Sequence, residues 1–200
     1  MRKKDIVLLI LLFVAIFATL AACRYAYFPG DVTVEKFVQS LAPKSVNWAL
    51  WFTKSAAFPW NLILLAITFF ISWGIAGWRV ALFSVLSLAG MWILGTLLSP
   101  VVARPRPSPA LVHVIGSPSG YSFPSLFALT YGSTLGYLAI QAARKKSGLL
   151  WAILLFLCCA FLITGGLARI VLGAHWPSDI IISYLIALLW AFFLLRVASK

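Results

Sequence analysis

His175 stands six residues after Arg169 and four before Asp179, in the run Ala168-Arg169-Ile170-Val171-Leu172-Gly173-Ala174-His175-Trp176-Pro177-Ser178-Asp179. An imidazole held by a carboxylate, with its other nitrogen facing an aqueous pocket, is a nucleophile or a base. Asp179 is placed to be that carboxylate. Pro177 suits the first turn of a helix because a proline there forfeits no helical hydrogen bond. Asp179 follows in the same turn, where the helix N-terminus stabilises negative charge, and from there it can reach back and fix the tautomer of His175. The planar fork of Arg169 suits a phosphate. A second polar stretch holds Arg104-Pro105-Arg106-Pro107, then His113, then Gly116-Ser117-Pro118-Ser119-Gly120-Tyr121 and Ser122-Phe123-Pro124-Ser125. Arg106 offers a second fork with Arg104 beside it, and the amides near Ser125, at a helix start, can cradle an oxyanion. Together these residues describe a phosphoryl-binding site with a histidine nucleophile.

Each residue has a plainer reading. Arg169 and His175 are ordinary interface snorkellers, Asp179 an ordinary helix cap, Arg104 to Pro107 a stiff basic loop, and His113 a solvated loop histidine. Convergence decides between the readings: these residues fall on two connections of one membrane face, and Asp179 is the only acid after Glu35. Asp31 and Glu35 read as polar-face residues of a surface segment, which leaves Asp179 as the sole carboxylate beside the pocket. No metal is implied, because two His and one Asp lack the ligand count of a zinc site. Cys23, Cys158 and Cys159 form neither a disulfide framework nor a metal spacing. No glycine loop for a dinucleotide or a nucleoside triphosphate is present, so no cofactor is expected.

The elements that must position these residues follow from composition. The chain has 200 residues, 63% apolar and only 10% charged, with a mean hydropathy of +1.03, which excludes an ordinary soluble domain. At about 20 apolar residues per span, the pattern predicts an all-α bundle of six transmembrane helices over 5–23, 59–77, 79–99, 123–143, 149–168 and 178–196, one membrane domain over 1–200. Residues 24–58 mix charges with apolar residues at helical spacing and predict amphipathic surface helices between the first and second spans. Leu20-Ala21-Ala22-Cys23 also resembles a lipoprotein cleavage box, which keeps open a lipid on Cys23 and a shorter bundle. Trp48, Trp51, Trp60, Trp78, Trp151 and Trp176 sit near span ends as head-group anchors. Gly132 and Gly136 form a small-xxx-small pair suited to close helix packing.

The net charge of +12 comes from 16 basic residues against four acids. Nine of the 16 (Arg2, Lys3, Lys4, Arg79, Arg144, Lys145, Lys146, Arg196 and Lys200) fall on one side of the expected bundle. That side is then cytoplasmic with both termini, and the connections 24–58, 100–122 and 169–177 face outward. The excess suits anionic head groups rather than nucleic acid, since no basic helix or aromatic platform lies outside the apolar segments. The expected partners are the bilayer and an anionic lipid. Homodimerisation is left open.

On these residues the sequence resembles the type 2 phosphatidic acid phosphatase superfamily, integral-membrane lipid phosphatases that share a helical core with the vanadium haloperoxidases. The resemblance covers about 60–195. The family's third motif, Ser-Arg, five residues, His, three residues, Asp, is matched by Arg169, His175 and Asp179, with Ala168 in the Ser place. The first motif, Lys, six residues, Arg-Pro, is matched at Arg106-Pro107, with Ser99 in the Lys place and Arg104 as a partial substitute. The second motif, Pro-Ser-Gly-His or Pro-Ser-Leu-His, reads Pro124-Ser125-Leu126-Phe127.

The resemblance implies hydrolysis of a lipid phosphate through a phosphohistidine on His175, oriented by Asp179, with Arg106, Arg169, Arg104 and Ser125 holding the phosphate. It also implies a site facing the periplasmic side of a bacterial inner membrane. The general-acid position is Phe127, which has no proton to give; His113 is the one substitute that the connections offer. General acid catalysis contributes about 10²–10⁴-fold, most for an alkoxide leaving group, so a polyprenyl diphosphate is the favoured substrate over phosphatidate or phosphatidylglycerol phosphate. The other reading is a PAP2-like protein that binds or transports lipid phosphates without turnover, or an inactive variant.

Overall fold

The computed structural model describes residues 3–145 and 148–199; Arg2, Lys146 and Lys200, assigned above to the cytoplasmic side, lie outside the described residues. The order of elements is α1 (Lys3–Ala22), α2 (Asp31–Leu41), α3 (Asn47–Ser55), α4 (Trp60–Ala76), α5 (Trp78–Val102), α6 (Leu126–Arg144), α7 (Leu149–Val171) and α8 (Pro177–Ala198), with no strand among the described residues. The fold is all-helical, and six of these helices begin and end within three residues of the expected spans.

Length and composition qualify fewer than six as spans. Asp5–Ala22, Trp78–Val102, Leu149–Val171 and Pro177–Ala198 each suffice alone, and α3 with α4 passes as one broken span bent by 65°. The count is therefore four, or five with the bent pair. Two of the expected spans fall short: α4 has only 17 residues and counts only together with α3, and the other is the more polar α6. It packs against α4, α5, α7 and α8, so protein rather than lipid surrounds it and its sequence need not be uniformly apolar. Thr130, Ser133, Thr134 and Gln141 are all buried on it. Thr134 donates to the Thr130 carbonyl at 2.7 Å and the Gln141 amide nitrogen to the Ser72 hydroxyl at 2.8 Å, pairing donors that would be costly in lipid. Gly132 and Gly136 face α8 as the small-residue pair suggests. A β-carbon at 132 would lie 2.6 Å from that of Ala187, and one at 136 would lie 2.6 Å from Leu188 Cδ2.

One end of the bundle carries Arg196, paired with Asp5 at 2.9 Å, and Arg144, whose guanidinium reaches the Leu195 carbonyl at 3.5 Å. The start of α1, the α6–α7 connection and the end of α8 therefore share that end. The other end is closed by α2, α3 and the irregular connections 103–125 and 172–176. Here α2 does not float on a surface. It packs on the end of α7 and the start of α8, and Gln39 donates to the carbonyls of His113, Ile170 and Val171. Asp31 and Glu35, expected on a polar face, are buried at 4% and 0% exposure. Trp176, expected as a head-group anchor, is also buried, donating its indole N–H to the Pro105 carbonyl at 3.1 Å. Trp51, Trp60 and Trp78 stay exposed.

Candidate active site

His175 sits in the connection between α7 and α8, 3% exposed. Its Nδ1 lies 2.6 Å from the backbone carbonyl of Ser122. A carbonyl only accepts, so Nδ1 carries the proton and Nε2 holds a lone pair. Arg106 brings Nη1 to 3.4 Å from that Nε2. The same guanidinium donates to the Ala174 carbonyl, and its Nε donates to the Ser119 and Gly120 carbonyls at 3.0 and 3.2 Å, tying the two polar connections together. Burial, reinforced by the positive charges of Arg169 and Arg106, holds the imidazole pKa well below its ordinary value, the Ser122 bond opposing them. The imidazole is therefore neutral at neutral pH, the form a nucleophile needs.

Asp179 is not the direct partner of that imidazole. One carboxylate oxygen accepts from Arg104 Nη1 and the other from the Ser122 hydroxyl and from the Trp176 N–H at 3.0 Å, the last as a cap on α8. It holds the Ser122 side chain while the Ser122 carbonyl holds His175, so its influence on the imidazole passes through Ser122. The helix start draws the short Asp179 side chain onto the Trp176 amide, which turns it from the ring.

Arg104 is likewise not a free phosphate ligand. It is 1% exposed, bonds Asp179 through Nη1 and Asp31 through Nη2 at 3.0 Å, and donates to Ser178 Oγ at 2.9 Å and the Tyr25 carbonyl at 3.2 Å. Its guanidinium lies 4.4 Å over the Phe28 ring. A buried cation between two buried carboxylates is held by them. Asp31 completes this hub by accepting from the Ser178 N–H and hydroxyl at 3.0 and 2.7 Å, capping α8 from α2. Asp179 is thus one of three buried carboxylates at this end, with Asp31 and Glu35.

Arg169, at the end of α7, donates to Thr53 Oγ1 at 2.8 Å, while its buried Nε has no hydrogen-bond partner. An unpartnered N–H on this buried guanidinium can donate to an acceptor such as a phosphate oxygen. Its Cζ lies 5.7 Å from the centre of the Phe127 ring. Phe127 is buried, stacked on Tyr131 at 4.4 Å, and seated against Gly165, where a β-carbon would come within 2.7 Å of the ring. Ser125 caps α6, accepting from the Ala128 N–H at 3.4 Å, and gives its own N–H to Ser183 Oγ at 3.0 Å. Its main-chain donor is committed to the fold rather than offered to an oxyanion. His113 has an exposed side chain, and its backbone N–H and carbonyl are bound by Gln39; those contacts do not deliver its ring to His175. The residues that sequence reasoning passed over are Ser122, Asp31, Glu35 and Thr53. Ser122 acts through its carbonyl, which no side-chain pattern announces.

The PAP2 superfamily family model matches residues 80–200. The chain belongs to the PAP2 superfamily. The PAP2 match spans Arg106, Phe127, Arg169, His175 and Asp179, whereas α1 to α4, with Asp31 and Glu35, precede it. Among solved structures, the fold is similar to that of a transmembrane PAP2-type phosphatidylglycerolphosphate phosphatase from Bacillus subtilis, with a TM-score of 0.76 over 95% of this chain and 94% of that one at 17% identity. No curated protein matches the sequence. The protein is an integral membrane member of PAP2 with the fold of a membrane phosphatase.

Proposed function

We propose that this PAP2 protein is a lipid phosphatase that removes a terminal phosphate through a phosphohistidine on His175. The observation that carries this reading is the state of His175: neutral, with its Nδ1 proton pinned to Ser122 and its Nε2 lone pair turned to Arg106. In the proposed reaction Nε2 attacks phosphorus as the bond to the bridging oxygen breaks. Arg106 and Arg169 hold the non-bridging oxygens, and water then displaces the phosphate from Nε2. An arriving phosphate oxygen takes the place of Nε2 on Arg106 and fills the unmatched Nε of Arg169. An apolar groove of about 720 Å³ between α1, α5 and α8, lined by Leu12, Ile16, Met91, Leu94, Ile186 and Trp190, suits a lipid chain.

Phe127 bears on the substrate. With no acid at that position, the leaving group that needs least help is a phosphate monoester anion, which favours a polyprenyl diphosphate. Phosphatidate and phosphatidylglycerol phosphate leave an alkoxide and require a proton from elsewhere. Phe127 also supports the second reading, a binder of lipid phosphates without turnover. Phosphate release by the purified protein from these three lipids separates the readings. Turnover in wild type that is lost in His175→Ala supports the phosphatase; retained lipid-phosphate binding with no release from any of them supports the binder.

We place the site on the outer face, with both termini cytoplasmic, from the basic residues gathered at the opposite end. In a variant lacking the native cysteines, an impermeant thiol reagent applied outside intact cells should label His113→Cys and spare Lys145→Cys. The reverse pattern puts the site on the cytoplasmic face.

A further inference from the structure

Two hydroxyls in the last turn of α3 reach the helices that carry the motif positions. Thr53 Oγ1 accepts from Arg169 Nη1 at 2.8 Å, and Ser55 Oγ pairs with the Tyr131 hydroxyl at 2.5 Å. A hydroxyl has one proton to give, and each of these gives it back to α3: Thr53 to the Ala49 carbonyl at 3.0 Å, Ser55 to the Phe52 carbonyl at 2.7 Å. What remains on Thr53 is an acceptor for the cation of α7, and what remains on Ser55 accepts the Tyr131 proton from α6. The guanidinium of Arg169 also sits with its Cζ 5.7 Å from the centre of the Phe127 ring, at cation–π distance. That ring is stacked on Tyr131 at 4.4 Å. Both of these neighbours of Arg169 therefore trace back to one turn of α3.

Packing fixes where α3 stands on α7. Ala49 is buried to 0% exposure against Ala168, Leu172 and Ala174, with Val46, Trp48 and Phe52 packed on the same cluster. Ala168 and Ala174 are the residues just before Arg169 and His175. Phe52 meets Phe161 of α7 with ring centroids 5.7 Å apart. Thr53 follows Ala49 by about one helical turn, so the contact that seats α3 on this stretch also sets the hydroxyl beside the guanidinium. A long arginine side chain is costly to immobilise. Anchored through Nη1, Arg169 has lost part of that freedom before any ligand arrives, and its buried Nε, which has no partner, can then donate to an acceptor.

We propose that Thr53 is a positioning residue for phosphate binding: it holds Arg169 in the orientation that grips a non-bridging oxygen of the lipid phosphate. The proposal rests on the reading of Arg169 as a phosphate ligand and gives that ligand a partner on α3, which precedes the residues matched to PAP2. Thr53 touches no reacting atom, and no proton passes through it. It acts by preorganisation: folding orders the arginine, so less of the binding free energy is lost to immobilising it. A positioned group displaced by about 1 Å lowers the rate on the order of 10²-fold, which sets the upper end of the effect.

The test measures kcat and KM for a polyprenyl diphosphate and for phosphatidate, and inhibition by inorganic phosphate, in lipid nanodiscs. Thr53→Val keeps the shape of the side chain and removes the hydroxyl, Thr53→Ala removes it without bulk against α7, and Thr53→Ser keeps it. Thr53→Val is expected to lower kcat/KM by about 10–10²-fold, chiefly through a higher KM, and to weaken phosphate inhibition about tenfold, whereas Thr53→Ser should stay within about threefold of wild type. In an Arg169→Met background, removing the Thr53 hydroxyl should change kcat/KM by less than about twofold, because Thr53 acts only through that arginine. A merely structural role predicts the same loss in both backgrounds. Thr53→Val and Thr53→Ala within about twofold of wild type, or losses that multiply with that of Arg169→Met, overturn the role of Thr53 and leave Arg169 on the phosphate. Arg169→Met with wild-type kcat/KM and phosphate inhibition overturns the reading of Arg169 itself, and silence of wild type on both lipids overturns the phosphatase reading together with the proposal.

Discussion

Replacing Arg104 by Met separates a structural arginine from a phosphate ligand. Met keeps the length of the side chain over the Phe28 ring and removes the guanidinium that links Asp31, Asp179, Ser178 and the Tyr25 carbonyl. Asp31 and Asp179, at 4% and 0% exposure, are then left as buried neighbours with no cation between them. Removing one partner of a buried ion pair costs about 3–5 kcal/mol, because the abandoned charge cannot return to water. Here two carboxylates lose the same partner, so a loss at the upper end is expected, lowered to the extent that one takes up a proton. The assay is unfolding in mixed micelles with rising SDS, followed by tryptophan fluorescence. Because part of the loss belongs to the stranded charges, Arg104→Met with Asp31→Asn should recover at least ~1 kcal/mol relative to the sum of the single variants. If Arg104→Met unfolds within about 1 kcal/mol of wild type and instead raises KM for lipid phosphate, the hub is misassigned and Arg104 belongs on the phosphate.

Phe127→His should raise phosphatidate turnover by about 10²-fold or more; no gain in that variant refutes the reading of Phe127 as the missing acid position. Stability should also depend on pH through Glu35. Its folded pKa of about 8 exceeds the ordinary 4.5, so the folded state holds the extra proton between those values and stability falls as pH rises through that window, by up to about 1.4 kcal/mol per pH unit; unfolding titrations of Glu35→Gln should lack this slope. His175 works in the opposite sense: its folded pKa lies well below 6.5, so its contribution is present above pH 6.5 and lost as pH falls, a slope that His175→Ala should remove. Gly132→Val should destabilise the bundle by about 1–3 kcal/mol, because its first added carbon already meets Ala187 at 2.6 Å; the same SDS titration reads it.

The parts legible in the sequence were those written in local spacing. The six long apolar runs matched helices, the glycine pair matched a close α6–α8 contact, and the Arg169, His175 and Asp179 spacing lies within the region that matches PAP2. What stayed hidden depends on partners far along the chain. Asp31 and Glu35 lie on a short amphipathic helix whose acids read equally well as a solvated face; their burial follows from Arg104 and the start of α8, 73 and 147 residues from Asp31. Arg104 and Arg106 are two residues apart in a run with no regular secondary structure, so no periodicity told which would turn to the ion-pair hub and which to His175. The Asp179 bond to His175 was the natural expectation from their proximity, but the α8 amide and the Ser122 hydroxyl compete for the same carboxylate. The polar content of α6 hid a second fact, since a helix enclosed by four others is shielded from lipid and does not carry the full hydropathy of a span.

On the phosphohistidine reading, His175 becomes covalently phosphorylated in each turnover. Wild-type protein mixed with a lipid diphosphate or phosphatidate carrying a labelled terminal phosphate, quenched in alkali within one turnover and digested, should yield the label on the peptide containing His175. The bond should be stable to alkali and labile to acid, and the label should be absent from His175→Ala. A wild-type enzyme that releases phosphate with no label on His175 at any time in the turnover refutes the phosphohistidine reading.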